Sequence, residues 1–346
     1  MIAVILAGGS GTRLWPLSTP DKPKHLMKIN GDRSLLQDAY ARAAMFSGNV
    51  YVVTNKSHSK LVTEQLKDEL DESHIIVEPE RRGTASAITL ALAKLSVEYG
   101  QDEVVGFIHA DHNIADKEAF KAAVVQAGEV ASSSGTIALI GINPDYPATG
   151  FGYIKKAQKL AKDVFKVAAF EEKPDAATAE GYVISGQYLW NLGLFAGNIS
   201  TFISEMSIHS PELFKTYEDL KSAIAAGKDY DDIYKAMVNQ PIEPVLIEKT
   251  DKLVVLRGSF DWMDIGSYKD LHEALPKSDT HGNAIDGQVV TIDTTESIVI
   301  EQTGRPVAVL GLDNVAVIST DKGILICHKE YSQRVKEVAE AFKSKE

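Results

Sequence analysis

A chain of 346 residues, 44% hydrophobic and 24% charged, is long enough for one large domain or two unequal ones and has the apolar content of an ordinary globular core. Its formal net charge of −12 argues against nonspecific binding to nucleic acid or to an anionic membrane surface. A single cysteine, Cys327, excludes an intrachain disulfide and fits a cytoplasmic setting, and the first apolar run is too short for a signal peptide or a membrane span.

That first run, Ile2 to Leu6, reads as a buried strand and breaks into Gly8-Gly9-Ser10-Gly11-Thr12-Arg13, with Lys22 and Lys24 close behind. Glycines let backbone N–H groups approach an anion, and a following helix start adds the positive end of its dipole. Arg13 and Lys24 can then reach a polyphosphate from two sides. The P-loop spacing G-x-x-x-x-G-K-[ST] is absent from this stretch. A dinucleotide fingerprint counted from Gly9 and Gly11 meets Leu14 where its third glycine belongs, and the second strand ends in Thr54-Asn55 where a ribose-binding acid is needed. What fits is LAGGxGTRLxPL followed by KPK, which closely resembles the opening of sugar-1-phosphate nucleotidyltransferases. The ending Trp15-Pro16-Leu17-Ser18 resembles that of the mannose-1-phosphate guanylyltransferases.

Short apolar, β-branched runs at 1–7, 49–54, 74–78, 103–109 and 136–141 alternate with helical patterns at 35–46, 57–70, 85–99 and 117–131. This alternation predicts an α/β fold, a Rossmann-like sheet that is mostly parallel or mixed, with helices on both faces. Ligands of such sheets collect at the carboxyl ends of strands, which directs attention to the residues just after each run. After the third run comes Glu78-Pro79-Glu80-Arg81-Arg82-Gly83-Thr84, where Thr84 suits an N-cap and Glu80, Arg81 and Arg82 read as solvated charges. Glu78 ends the strand, and one carboxylate can accept from both N1–H and N2–H₂ of guanine. The resemblance implies that this loop reads the base, although Gly83 and Ser86 stand where the guanylyl pattern has Asn and Pro.

The fourth run ends in His109-Ala110-Asp111-His112. An acid just past a buried strand is costly unless paired or holding a metal, and Asp111 suits Mg²⁺. No third or fourth ligand stands at zinc spacing beside the two histidines. Asp111 matches the family's metal-binding aspartate, while His109 replaces a residue that is usually small or proline. Three further stretches match the family's sugar-binding half in order and spacing. They are Thr149-Gly150-Phe151-Gly152-Tyr153-Ile154, Glu171-Glu172-Lys173-Pro174 and Trp190-Asn191-Leu192-Gly193. Segment 198–250 reads as helices with few chemical features. Phe260-Asp261-Trp262-Met263-Asp264-Ile265-Gly266-Ser267 then resembles the family's DWxDIGS segment, which makes Asp264 the second metal ligand and Asp261 its support.

From Gly282 onward the pattern changes to β-type runs at 288–292, 297–301, 306–310, 315–319 and 323–327, with a helix pattern only at 329–343. This predicts a catalytic domain over 1–280 and a small all-β domain over 281–346 that ends in a helix. The resemblance makes the second a left-handed β-helix, although no hexapeptide period is visible, and self-association is its expected role.

Taken together, the resemblance implies transfer of GMP from GTP to mannose 1-phosphate, with GDP-mannose and pyrophosphate as products, Mg²⁺ (or Mn²⁺) as cofactor and a homodimer as the working form. It implies GTP binding by Leu6, Gly8, Gly9, Ser10, Gly11, Thr12, Arg13, Lys24, Glu78, Gly83 and Thr84. Sugar-phosphate binding falls to Gly150, Glu172, Lys173 and Asn191, the metal to Asp111 and Asp264, and catalysis to Arg13, Lys24 and Lys173. Glu171 is the less suited of the two adjacent acids. A different sugar 1-phosphate, such as a heptose or glucose, and a non-catalytic nucleotide-sugar sensor are the alternatives. The cupin-type isomerase domain of some family members has no room before Glu346, so no isomerase activity is expected.

Overall fold

The computed structural model describes residues 1–9, 11–29 and 31–343. In chain order β1 (Ile2–Ala7) leads into two 3₁₀ turns, Thr12–Leu14 and Lys24–Leu26, and then α1 (Leu35–Ala44). Next come β2 (Val50–Asn55), α2 (Ser59–Leu66), β3 (Ile75–Glu78), α3 (Gly83–Tyr99), β4 (Val104–His109), β5 (His112–Asn113), α4 (Lys117–Ser134) and β6 (Ile137–Ile142). A hairpin of β7 (Tyr153–Ala161) and β8 (Val164–Glu171) is followed by α5 (Ala176–Ser185), β9 (Tyr188–Asn198), α6 (Ile199–His209), α7 (Pro211–Ala225) and α8 (Asp231–Lys235). A π-helical turn, Glu243–Ile247, precedes β10 (Leu253–Arg257), β11 (Met263–Asp264) and α9 (Tyr268–Ala274). Last are β12 (Ala284–Asp286), β13 (Val289–Ile292), β14 (Ile298–Glu301), β15 (Val307–Leu310), β16 (Val315–Thr320), β17 (Gly323–His328), a 3₁₀ stretch Lys329–Arg334 and α10 (Val335–Lys343).

Packing divides the chain into two compact units that do not follow chain order. One comprises Met1–Gly8, Ala39–Ala110 and Ile114–Trp262, the other Gly9–Asp38, Asp111–Asn113 and Met263–Glu346. The first unit is built on a nine-stranded sheet of order β3-β2-β1-β4-β9-β6-β10-β8-β7. Its β3-β2-β1-β4 half is parallel, as alternating strands and helices require, whereas β9 runs antiparallel to both β4 and β6 and makes the sheet mixed. All six side chains of β1 are buried, so the sheet is covered on both faces. Ile2, Val4 and Leu6 pack with Ile88 and Leu92 of α3 and Phe202 of α6. Ile108 and Ile140, which alternate to the other face, border a small void with Val124 of α4.

Some boundaries differ from the sequence expectation for identifiable reasons. Helix α3 begins at Gly83, so Thr84 is its second residue and not its N-cap; its Oγ1 instead accepts from the N–H of Ile242 at 2.9 Å. Gly83 (φ +78°) packs so closely that an added Cβ would sit 2.4 Å from the Gln240 carbonyl oxygen. The 57–70 pattern shortens to Ser59–Leu66, and the 329–343 pattern opens as a 3₁₀ stretch before α10. The π-helical turn Glu243–Ile247 lies in the stretch that reads as chemically quiet.

In the second unit, β12, β14 and β16 stack in parallel, β17 closes that sheet antiparallel, and β13 pairs parallel with β15. Successive parallel coils of this kind make a β-solenoid. Val299, Val309, Val315 and Val317 fill its interior. The opposite face of the four-stranded sheet, with Ile298, Ile300, Ala316, Ile318 and Leu325, packs with Leu14, Leu17, Met27 and Ile29 from the start of the chain and with Tyr268 and Leu271 of α9. The apolar residues that follow the glycine turn are therefore buried by the end of the chain.

Candidate active site

The second unit gathers Lys24, Asp111 and Asp264 around one point. Lys24 Nζ donates to Asp264 Oδ1 at 2.6 Å and to Asp111 Oδ2 at 3.0 Å, and the side-chain exposures are 7% for Lys24, 26% for Asp264 and 30% for Asp111. Local structure explains the convergence. Gly11 adopts φ +59°, and a Cβ there would come within 2.3 Å of Ser18 Oγ and 2.8 Å of Lys24 Cβ, so only glycine lets the turn close over Lys24. The two aspartates are aligned by the antiparallel pair β5–β11, in which Asp264 stands opposite His112 and Met263 opposite Asn113. Ser267 then caps α9, accepting from the N–H of Asp270. Burial opposes the charge on Lys24, but the two carboxylates outweigh it and hold the ammonium above its ordinary range. Burial and the neighbouring Asp111 push Asp264 up, and Lys24, with a smaller contribution from His112, pulls it below the ordinary carboxylate range. Asp111 and Asp264 offer hard oxygen donors of the kind Mg²⁺ takes, and that ion is bound by one or two carboxylates with waters and phosphate oxygens. The two therefore fit it although, among the described residues, no group of three or more His, Cys, Asp or Glu gathers as a protein-only metal cage.

The 12–15 turn is fixed within the same unit. Tyr268 Oη donates to the carbonyls of Leu14 (2.8 Å) and Trp15 (2.9 Å), and Arg13 Nη1 donates to Gln333 Oε1 at 3.2 Å. Gly9 lies near Asp111, 4.0 Å separating a Cβ built there from Oδ2. Ser10 falls outside the described residues.

The first unit holds the other predicted residues. Glu78, 3% exposed at the end of β3, accepts from Tyr234 Oη, and its Oε2 lies 3.3 Å from where a Gly8 Cβ would be. Burial raises Glu78 to about 7, against the lowering effects of Tyr234 and Arg81. Leu6 stays in β1, its carbonyl accepting from Ala110 N–H at 3.1 Å. Gly83 and Thr84 are engaged by residues 240–242 as described above.

Glu172 and Lys173 form an ion pair at 2.7 Å, with Lys173 in the left-handed region at φ +50°. An added Cβ on Gly152 would sit 2.6 Å from Glu172 Oε2, so that glycine makes room for the carboxylate. Glu171 is taken by Tyr182 Oη. Asn191 comes from an irregular stretch of β9, where Leu139 pairs with Phe195 but Gly141 pairs with Asn191, leaving extra residues on β9. Within it Gly193 adopts φ +66° and donates its N–H to Asn191 Oδ1 at 3.1 Å, while Asn191 N–H donates to the Gly152 carbonyl at 2.7 Å. That bond joins the Asn191 and Gly150–Gly152 segments, and Phe151 packs edge-on to Trp190 and Trp262 at centroid distances of 5.3 and 5.0 Å. Gly193 also leaves room for His109, whose Nε2 lies 2.6 Å from where its Cβ would be. Asp261 accepts from the backbone N–H of Ala115 (2.8 Å) and of Asp116 (2.7 Å), which clips the chain just past Asn113.

Sequence reading missed Glu243, which begins the π-helical turn. Burial raises it to about 7, with the Glu172 carboxylate adding to the shift and Lys173 opposing it. It also missed Tyr234 and Gln333, since a lone Tyr or Gln far along the chain carries no local signal.

A glycine turn, a buried cation and two carboxylates on one point are the parts with which an enzyme can bind and neutralise nucleotide phosphates. The chain belongs to the nucleotidyl transferase family, whose model matches residues 2–281. A second model, the MannoseP isomerase/GMP-like beta-helix domain, matches residues 287–342. The chain is 35% identical to the xanthan biosynthesis protein XanB of Xanthomonas campestris pv. campestris, over 99% of its own length and 73% of the relative's. It is 34% identical to the mannose-1-phosphate guanylyltransferase of Klebsiella pneumoniae, over 99% and 74%. The crystal structure of mannose-1-phosphate geranyltransferase from Thermus thermophilus superposes with TM-score 0.87 at 27% identity, over 99% of both chains.

Replacing Lys24 by Met leaves two neighbouring carboxylates without their cation and should cost about 3 kcal/mol near neutral pH. Because Lys24 holds the Asp264 pKa below its ordinary 3.8, the stability it provides is present above that value and lost as pH falls through the depressed one. Urea unfolding across pH should therefore show the wild-type and Lys24→Met curves separated at neutrality and converging below about pH 4.

Proposed function

We infer that this protein transfers GMP from GTP to α-D-mannose 1-phosphate, forming GDP-mannose and releasing pyrophosphate. The observation that carries the reading is the meeting of Asp111 and Asp264 on one cation, supplied by the lysine that follows the glycine turn. Mannose and guanine rest on the likeness to the mannose-1-phosphate guanylyltransferase of Klebsiella pneumoniae and on the chemistry of Glu78, which offers guanine a carboxylate. An oxygen of the sugar phosphate attacks the α-phosphorus in line; the new P–O bond forms as the bond to the β-phosphate bridging oxygen breaks, and the electron pair leaves with pyrophosphate. A phosphate monoester is ionised near neutral pH, so no general base is needed.

In this reading the protein positions and neutralises. Asp111 and Asp264 would hold a divalent cation, Mg²⁺ or Mn²⁺, which supplies charge neutralisation to phosphate oxygens when bound. Arg13 and Lys24 hold the departing pyrophosphate, and the backbone N–H groups of Gly9, Gly11 and Thr12 would bind the triphosphate. Lys173 aims the sugar phosphate, while Gly150, Glu172 and Asn191 bond the sugar hydroxyls. A cytoplasmic setting fits a chain with one cysteine, and among the described residues no helix is long and apolar enough to cross a membrane.

Pyrophosphate release across four nucleoside triphosphates and several sugar 1-phosphates tests the reading directly. One dominant combination, GTP with mannose 1-phosphate, is expected; a dominant pair elsewhere moves the specificity, and no turnover with GDP-mannose still bound makes the protein a sensor. Asp111→Asn and Asp264→Asn should each remove at least about 99% of turnover at limiting Mg²⁺ while preserving the folded circular-dichroism spectrum.

The raised Glu78 gives a pH signature. Ionised Glu78 accepts both guanine donors and protonated Glu78 does not, so KM for GTP should rise as pH falls below about 7. Glu78→Gln should raise KM for GTP more than for ATP and flatten that pH profile. An acid whose folded pKa is raised contributes stability below its unfolded value of 4.5 and loses it as pH rises through about 7. Glu78→Gln should therefore be more stable than wild type at alkaline pH, by about 2–3 kcal/mol in urea unfolding.

We place self-association on the solenoid. Ile324 and Ile326 stand 66% exposed on β17, the edge strand of its sheet, and an exposed apolar edge is a pairing surface for a second copy. Ile324→Lys combined with Ile326→Lys should shift the sedimenting species from dimer to monomer; an unchanged dimer would move the interface elsewhere.

A further inference from the structure

Three bonds or contacts converge on the 12–15 turn from residues close to the carboxyl end. Arg13 Nη1 donates to Gln333 Oε1 at 3.2 Å. The Trp15 ring stacks on Phe342 of α10, with centroids 5.1 Å apart and planes 23° from parallel. Gly323, at the start of β17, leaves the Trp15 ring its space, since an added Cβ would come within 2.9 Å of two ring carbons. The backbone of the same turn is already secured by Tyr268, so these contacts act on its side chains.

The chemistry of the Gln333 contact is selective. A carboxamide oxygen accepts one of the five guanidinium N–H donors and leaves the positive charge whole. A glutamate in that place would pair with the guanidinium and cancel the charge an anionic ligand needs. Gln333 is exposed and Arg13 is exposed, so the bond adds little to stability. Its effect is to restrict the rotamers of a long side chain, which lowers the entropy that side chain loses when it engages a ligand. The Trp15–Phe342 stack restrains the next ring along in the same way.

We propose that Gln333 and Phe342 are positioning residues for the triphosphate, Gln333 holding Arg13 directly and Phe342 holding, through the Trp15 ring, the turn that carries Arg13, so that the β-rich end of the chain is a working part of the nucleotide loop. The proposal rests on the assignment of Arg13 to polyphosphate, and it concerns residues outside every motif that supports that assignment.

The test pairs a binding measurement with steady-state kinetics on the full chain. Wild type, Gln333→Ala, Gln333→Glu, Phe342→Ala and Phe342→Leu are titrated with inorganic tripolyphosphate and Mg²⁺ by calorimetry, then assayed for pyrophosphate release. Gln333→Ala and Phe342→Ala should weaken tripolyphosphate roughly three- to tenfold and lower kcat/KM for GTP to match, with KM for mannose 1-phosphate within about twofold of wild type. Gln333→Glu should be worse than Gln333→Ala in both readouts, and more so at low salt, because it adds the cancelling charge. Phe342→Leu, which keeps an apolar side chain, should recover part of the loss. Wild-type tripolyphosphate affinity in both Gln333 variants overturns the proposal, as does an equal loss toward both substrates, which marks a general structural defect. An inactive wild type in the assay would overturn the guanylyl reading alone, since the titration needs no turnover. A wild type that fails to bind tripolyphosphate would overturn the positioning role.

Discussion

A single ammonium between two carboxylates draws together residues that lie 87 and 240 positions apart in the chain. The strand pair that aligns the two aspartates is only two residues long on each side, too short to hold like charges together unaided. Lys24 offsets that repulsion, and Lys24 reaches them because Gly11 has no side chain where the turn folds over it. Each part of the arrangement therefore depends on another. Remove the glycine and the lysine is displaced; remove the lysine and the aspartates repel; remove the strand pair and the carboxylates lose their common point.

The first unit keeps its polar residues at a cost in stability. Glu78 is almost wholly buried, and both it and Glu243 are pushed up to about 7, so near neutrality each spends part of its time uncharged. A protein built for stability alone would carry an amide or an apolar group in such places. The left-handed Lys173, held beside Glu172, belongs to the same class of locally unfavourable choices.

How much of this could be read from residues alone depended on the range of the signal. The β1 strand and the glycine turn are a contiguous pattern and were legible, as were the alternating strands and helices of the parallel half. Asp111 was legible as an acid just past a buried strand and Asp264 only through the resemblance of its segment, but their common partner was not, because nothing local links Lys24 to either. Thr84 had the composition of a cap, yet Gly83 with its positive φ extends the helix one residue earlier and the hydroxyl serves Ile242. The solenoid showed no repeat because its coils are unequal: Ala284 lies opposite Ile298, fourteen residues on, and Ile298 opposite Ala316, eighteen on. Turn lengths that vary between coils erase a sequence period while the parallel stacking survives. Tyr234, Glu243 and Gln333 act only through contacts that the chain makes at long range.

The burial of Leu14, Leu17, Met27 and Ile29 among residues 265–335 has a consequence for how the protein is made. The segment leaves the ribosome among the first, but the chain that covers Leu14, Leu17, Met27 and Ile29 is about 225 residues behind it. At typical elongation rates that interval lasts roughly ten to forty-five seconds. Throughout it the nascent chain carries an apolar stretch with no native surface to cover it, while the sheet of the first unit can already be assembling from its earlier strands. The loop that leads to the lysine at the centre of the site is thus among the first parts synthesised and among the last to settle, which makes newly made chains natural clients for a chaperone that binds exposed apolar segments.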